Sequence, residues 1–246
     1  MKGLILVAGR STRMGELTRN RHKTLLDVGG RPILSWMLDA LQAEGIGEVC
    51  FVCGFLQQQL KDFVAREFPS LQSTWIENPE FATTNTAYSV FLTRDALLAT
   101  GDSVLLINGD VVLDRRAIAA TLAAEGESVL AVHFGAVAEE EVKLRLDGSG
   151  RVTEIGKHIP PDRAAGESVG INRLARELLP DLYRVLQERI ETAGGAKEFY
   201  EAAFNQLVEE GAPFRTADVS GLPVMEVDTP EDYREVLSTI SPLLLR

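Results

Sequence analysis

Apolar and polar positions alternate in blocks along this chain, and the blocks change period in a regular order. Short runs rich in Leu, Ile and Val fall at 2–7, 48–53, 73–77 and 103–108. Continuous apolar runs of that length predict parallel strands buried on both faces. Between them, helical spacing marks 32–44, 56–67 and 86–98, and ILSWMLDALQAEG stops at Gly45 as helices do. Asp114 and Arg115 open a further helix reaching Ala124, and a strand follows at 128–134. The β-α-β-α order is that of an α/β, Rossmann-like, doubly wound and mostly parallel sheet.

After residue 137 the texture changes. EVKLRLDGSGRVTEIGK predicts two short strands about an Asp-Gly-Ser-Gly turn, an antiparallel hairpin. ESVGINRLA predicts another strand, leading into a helix over 174–192. Gly194 and Gly195 break the chain before KEFYEAAFNQLVEEG, the next helix. A strand at 214–218 precedes VMEVDTPEDYREVL, where Thr229 and Pro230 start the last helix as N-cap and first-turn proline. No repeat, low-complexity tract or Pro/Ser-rich linker intervenes. Residues 1–246 therefore read as one domain, with a half at 1–137 and a second half at 138–246 covering one side of the sheet.

Composition narrows the picture. With 246 residues, 45% of them hydrophobic, the chain can bury a full core. It has no apolar run long enough to predict a membrane span. Gly9 and Arg10 interrupt the N-terminal apolar run too early for a signal peptide, so the expectation is a cytoplasmic protein. Cys50 and Cys53 form a C-x-x-C, which invites a redox or metal reading. They sit in EVCFVCGF, however, where extended geometry puts residues three apart on opposite faces, and no second pair completes a zinc site. They are expected to be buried structural cysteines. A formal net charge of -11 argues against nucleic acid as a partner.

The first thirty-four residues break that acidic balance. They carry seven basic residues (Lys2, Arg10, Arg13, Arg19, Arg21, Lys23, Arg31) against Glu16 and Asp27. A basic loop at the C-terminal end of the first strand is where an α/β sheet binds phosphates. The loop is not a Walker pattern, since no Gly-Lys-Ser/Thr follows. Nor is it a dinucleotide fingerprint, because Gly9 is followed by Arg10, Ser11 and Thr12.

It resembles instead the signature of nucleotidyltransferases that activate sugar phosphates and related small phosphates. That signature runs L-A-A-G-x-G-x-R-M, then Leu-Thr, then Pro-Lys, then G-[KR]-P-[IL]. Leu6, Ala8, Gly9, Arg13, Met14, Leu17, Thr18, Lys23, Gly30, Arg31, Pro32 and Ile33 match. Val7, Ser11 and His22 depart; Ser11 is a small replacement for glycine, and His22 leaves the lysine loop without its stiffening proline. The resemblance implies a GT-A-like nucleotidyltransferase fold, a nucleotide-binding half at 1–137 and an acceptor-binding half at 138–246.

It also implies roles for residues. Leu6, Ala8, Gly9, Arg10, Ser11, Thr12, Arg13 and Lys23 would bind the nucleotide, with Arg13 on the β- and γ-phosphates and Lys23 on the α-phosphate. INGD places Asp110 just past a strand end, and the resemblance assigns Mg²⁺ to Asp110 and Asp228. Strand alternation puts Glu226 on the same face as Asp228. Lys157, in EIGKHIP, resembles the lysine that holds the acceptor's phosphate and completes a catalytic set with Arg13 and Lys23. IENPEFATTNTAYSVFLTRDAL resembles the N-P-x-[FY]-x-x-[TS]-N-N-x-x-S segment of cytidylyltransferases acting on phosphocholine and 2-aminoethylphosphonate. Asn85 and Ser89 match there, while Thr86 replaces the second Asn.

An amine-bearing acceptor asks for carboxylates, and a quaternary one for aromatic faces as well. Tyr88, Glu167, Tyr200 and Glu201 are the candidate acceptor contacts, with Phe81 and Phe199 nearby in sequence. The expected activity is Mg²⁺-dependent transfer of CMP from CTP to a phosphocholine- or 2-aminoethylphosphonate-like acceptor, with release of pyrophosphate. A sugar-1-phosphate nucleotidyltransferase and a non-catalytic nucleotide-binding module stay open as alternatives. The apolar tail SPLLLR, 241–246, offers a docking segment for a homodimer.

Overall fold

Alternation along the first strand, β1 (Lys2–Val7), sets the architecture: Leu4 and Leu6 pack into one core, Ile5 and Val7 into another on the opposite face. The computed structural model describes residues 1–192 and 194–244. Leu245 and Arg246, the end of the tail read as a docking segment, lie outside the described residues. After β1 come a two-residue pair, β2 (Asp27–Val28) and β3 (Arg31–Pro32), then α1 (Ile33–Ala43), β4 (Glu48–Cys53), α2 (Gln57–Glu67) and β5 (Gln72–Glu77). Next are α3 (Thr86–Phe91), α4 (Arg94–Leu98), β6 (Val104–Asn108), β7 (Val111–Leu113), α5 (Arg115–Ala123) and β8 (Ser128–Phe134). The second half supplies β9 (Lys143–Leu146), β10 (Val152–Gly156), β11 (Gly166–Leu174), α6 (Leu179–Glu191), α7 (Glu201–Glu209), β12 (Phe214–Asp218), β13 (Val224–Glu226) and α8 (Pro230–Glu235).

The sheet is α/β and doubly wound. β5, β4, β1 and β6 are parallel neighbours; β11 joins β6 antiparallel, β8 joins β11 antiparallel, and β12 lies parallel to β8. Helices α1, α2 and α5 cover one face, and α3, α4, α6 and α7 cover the other. Cys50 packs into the second core and Cys53 into the first, both free and buried. Among the described residues no helix is long and apolar enough to cross a membrane.

The strand β11 does two jobs. Its residues Ile171–Leu174 pair with β6, while Gly166 and Glu167, beyond the end of β6, pair with β9 of the antiparallel β9–β10 hairpin. Between these parts the register shifts at Gly170, which has φ +69; a Cβ there would lie 2.6 Å from Asn108 Nδ2. Only glycine meets both demands. The hairpin is thereby carried past the C-terminal ends of the parallel strands, over the crevice where such sheets bind ligands.

Three sequence expectations shift, each for a non-local reason. The helix expected over 86–98 is broken between Phe91 and Arg94, where the buried Thr93 hydroxyl bonds the Val90 carbonyl (2.6 Å) and the Tyr183 hydroxyl (2.7 Å). The helix expected from 174 starts at Leu179, because the chain up to Leu174 is committed to β11. The helix expected across KEFYEAAF begins only at Glu201. Residues before it cap α3 instead: Asn85 N–H donates to the Ala196 carbonyl (2.9 Å), Ala87 N–H to the Glu198 carbonyl (3.1 Å), and Tyr200 N–H to Thr86 Oγ1 (3.1 Å).

Gly170→Ala should lower the unfolding free energy by roughly 1–3 kcal/mol from backbone strain alone, with the contact on Asn108 adding to it. Urea denaturation of the two proteins measures the difference.

Candidate active site

The basic loop leaves β1 through a strained residue. Ser11, where the matching signature has glycine, sits in the left-handed region at φ 50, ψ 47. Its carbonyl accepts from Met14 N–H (3.0 Å) and Thr18 Oγ1 (3.1 Å), and these two bonds offset a conformation that costs roughly 1–2 kcal/mol. Lys23 follows on a short 3₁₀ turn, Lys23–Leu25, and is only 7% exposed. Its Nζ donates to Asp110 Oδ2 at 3.0 Å and Asp228 Oδ1 at 3.1 Å. Arg13 bonds the other oxygen of Asp228 at 2.8 Å, through a side chain that is 68% exposed.

Backbone pairing explains why two aspartates so distant in sequence meet. β7 runs antiparallel to β13, with Val111 opposite Glu226, and Val227 N–H donates to the Asp110 carbonyl at 2.9 Å. Gly109 lets this turn lie against β1: a Cβ there would fall 2.4 Å from the Leu6 carbonyl oxygen. A capping box at Thr229 and Asp232 then starts α8 and orients Asp228, whose N–H donates to Asp232 Oδ2 at 2.9 Å.

The electrostatics follow from this crowding. Burial alone would lower the Lys23 ammonium, but the Asp110 and Asp228 charges outweigh it and hold it above the ordinary value. Burial opposes ionisation of Asp228 as well, yet Lys23 and Arg13 bring its carboxyl below the usual range. Glu226, buried beside both aspartates, is pushed well above the carboxylate range by desolvation and then by their charges; Asn108 Nδ2 donates to it at 3.3 Å. Among the described residues no three His, Cys, Asp or Glu side chains are gathered to hold an ion. Asp110 and Asp228 form a pair.

One cavity of about 360 Å³ collects most of the expected residues, a volume typical of small-molecule sites. Leu6, Ala8, Gly9, Ser11, Thr12, Arg13, Lys23, Asn85, Ser89, Asp110 and Asp228 line it together with Lys157 and Glu201. Four expected contacts lie outside the lining. Arg10 turns onto the Phe55 ring, 5.7 Å from its centroid. The Tyr88 hydroxyl donates to Glu80 at 3.2 Å. Alternation along β11 sends Ser168 into the cavity and Glu167 against His133, at 3.4 Å. Tyr200 is fully buried, its hydroxyl accepting from Asn172 (2.9 Å) and donating to Asn108 (3.0 Å), so it braces the wall from behind.

Three structural residues escaped the sequence reading. Buried Asn78, which opens the N-P-x-[FY] segment but gets no role of its own from the resemblance, donates to Thr84 Oγ1 (3.1 Å) and Ser89 Oγ (3.2 Å), fixing the Asn85–Ser89 segment. Lys143, with no exposed surface, donates to the Glu139 (2.6 Å) and Glu141 (3.0 Å) carbonyls and ties their loop down beside Val142, which lines the cavity. His22 acts contrary to expectation. It stiffens the lysine turn: Nε2 bonds the Val7 carbonyl at 3.0 Å, and Nδ1 accepts from Thr24 N–H at 3.2 Å as the turn's N-cap. That pattern requires the neutral ring.

Comparison with known proteins shows the family and the fold. The family model described as MobA-like NTP transferase domain matches residues 3–205. The CMP-5'-(3-aminopropyl)phosphonate synthase of Streptomyces rubellomurinus is 28% identical over 98% of this chain, which spans 39% of that larger protein. The 2-aminoethylphosphonate cytidylyltransferase of Lancefieldella rimae is 23% identical over 84% of this chain and 80% of its own length. Among solved structures, a CTP:phosphocholine cytidylyltransferase from Streptococcus pneumoniae superposes with TM-score 0.80 over 96% of this chain and 97% of its own. At 19% identity that likeness is one of fold.

His22 gives a pH signature. Burial, with Lys23 adding, lowers its pKa from 6.5 to about 4 despite the Val7 bond. Between those values the unfolded chain binds the extra proton, so stability falls as pH drops through the window, by about 3 kcal/mol in all. His22→Gln should remove that slope. Denaturation of both proteins at about pH 7 and about pH 4 isolates it as the change in their difference.

Proposed function

The chain belongs to the MobA-like NTP transferase family, and on that premise we propose that it is a Mg²⁺-dependent cytidylyltransferase. It would transfer CMP from CTP to a small amine-bearing phosphate or phosphonate, phosphocholine- or 2-aminoethylphosphonate-like, and release pyrophosphate. One observation carries this reading: the Lys23–Asp110–Asp228 cluster lines the same cavity as Lys157 and Glu201. The first group suits a triphosphate, and Lys157 with Glu201 suits an acceptor with both an anion and a cation. The relatives named for aminophosphonates and the Asn85–Ser89 segment support cytidine and an amine acceptor.

The chemistry needs no general base. The acceptor is already an anion at neutral pH, and its oxygen can attack the α-phosphorus as the bond to pyrophosphate breaks. The difficulty lies in bringing anions together, so catalysis is positioning plus neutralisation. Backbone N–H groups of Gly9–Thr12 would cradle the triphosphate. Arg13 is free to grip the leaving group, since an exposed ion pair with Asp228 holds it only weakly. Lys23 would neutralise the α-phosphate, and Lys157 would seat the acceptor's anion. Asp110 and Asp228 fit Mg²⁺, which prefers one or two carboxylates plus phosphate oxygens and when bound neutralises charge on those oxygens.

Pyrophosphate release should be seen with CTP plus phosphocholine or 2-aminoethylphosphonate. Turnover with glucose 1-phosphate alone would instead assign a sugar-phosphate acceptor. Lys23→Ala and Asp110→Ala should each cut kcat by about 100-fold or more, with thermal melting still cooperative. Near-normal rates in either variant would remove that residue from the mechanism.

A further inference from the structure

The cavity lining holds two buried oxygen atoms without hydrogen-bond partners. Glu201 is 6% exposed, and its Oε2 has no hydrogen bond. Ser168 is 9% exposed, and its Oγ has none either. Both line the cavity beside Lys157. An orphaned buried acceptor costs about 1–3 kcal/mol, a penalty that a ligand bearing N–H donors would remove. Burial pushes the Glu201 carboxyl up to about 7, against its backbone N–H, Tyr200 and Lys157, so a cation seated there restores its charge.

The aromatic surroundings point the same way. A quaternary ammonium has no N–H and is recognised by open ring faces. Phe199 lines this cavity, but Lys157 Nζ already stands over its ring, 4.9 Å from the centroid. Phe81 also lines the cavity, packed onto Gly54 and tilted against Phe55. Tyr200 is buried with its hydroxyl engaged, and Tyr88 stands outside the lining. Trp75 packs against the opposite core, and Arg31 covers Trp36. The two phenylalanines that line the cavity, one of them with Lys157 over its ring, fall short of the several open faces that enclose a trimethylammonium group.

We propose that the acceptor's nitrogen is a primary ammonium that donates hydrogen bonds to Glu201, and that this carboxylate discriminates against the quaternary analogue. The inference rests on the amine-acceptor reading and sharpens it. An ammonium has three donors to offer Glu201 and Ser168, whereas the trimethylated group leaves both unsatisfied and adds bulk against them. Sites built around such bonds reject analogues that lack the donor far more strongly than apolar pockets reject a methyl group.

The test compares kcat/KM, with CTP saturating, for phosphoethanolamine against phosphocholine and for 2-aminoethylphosphonate against its N-trimethyl form. The expected preference for the primary amine is at least about 100-fold in each pair. Glu201→Gln should lower kcat/KM for the primary amines by about 10- to 100-fold and narrow both ratios, with KM for CTP unchanged. Equal use of primary and quaternary acceptors by the wild type overturns this inference alone. So does an unaltered ratio in a Glu201→Gln protein that melts normally. Turnover confined to glucose 1-phosphate, or absent with every acceptor, overturns the amine-acceptor reading with it.

Discussion

The arrangement depends on one buried ammonium between two carboxylates. Lys23 reaches aspartates 87 and 205 residues away in sequence. Without it, Asp110 and Asp228 would repel each other at the mouth of a partly desolvated crevice; without them, a lysine so buried would lose its proton. Each makes the other tolerable, but only if the backbone holds all three at bonding distance. Much of the local architecture serves that end. His22 ties the lysine turn to β1, Gly109 lets the next turn press against Leu6, and the β7–β13 pair brings the second aspartate beside the first.

The charge pattern that first set the N-terminal loop apart is thus more finely divided than a basic patch. Lys2 pairs with Glu48, Arg19 with Glu16 and Arg31 with Asp39, all away from the cavity. Arg10 spends its charge on an aromatic face. Two cations of opposite character line the cavity from this stretch, an exposed and easily released Arg13 and a buried Lys23 paired with both aspartates. On a chain of net charge -11 this local focus offsets a field that repels nucleotides at long range.

Much of this was legible in sequence wherever it depended on local pattern. Strand periods gave the sheet, and residues just past strand ends, such as Gly9, Arg13 and Asp110, were bound to share a crevice. What stayed hidden required knowing what lies across space. The stretch before Glu201 looks helical by spacing, yet it spends its carbonyls capping α3. Tyr200 reads as a substrate contact by chemistry, yet two asparagines on neighbouring strands hold its hydroxyl inside the wall. His22 reads as a loosened proline site because its value lies in a bond to a strand fifteen residues earlier.

The bend in β11 also divides the molecule by how freely each part can change. The β9–β10 hairpin meets the sheet through only two register pairs, Gly166 with Leu144 and Glu167 with Lys143. Its other supports are α7, whose Asn205 accepts from Ile155 N–H at 2.9 Å, and Arg215 of β12, which donates to the Ser149 carbonyl. Propped on α7, which is itself packed in the core, the hairpin hangs beyond the last residues of β6, clear of the β7–β13 pair that sets the aspartates. Insertions and exchanges within it reshape one wall of the cavity and leave the lysine and its two carboxylates in place. A scaffold so divided can diversify its acceptors by swapping a small accessory piece, at little risk to the chemistry beneath.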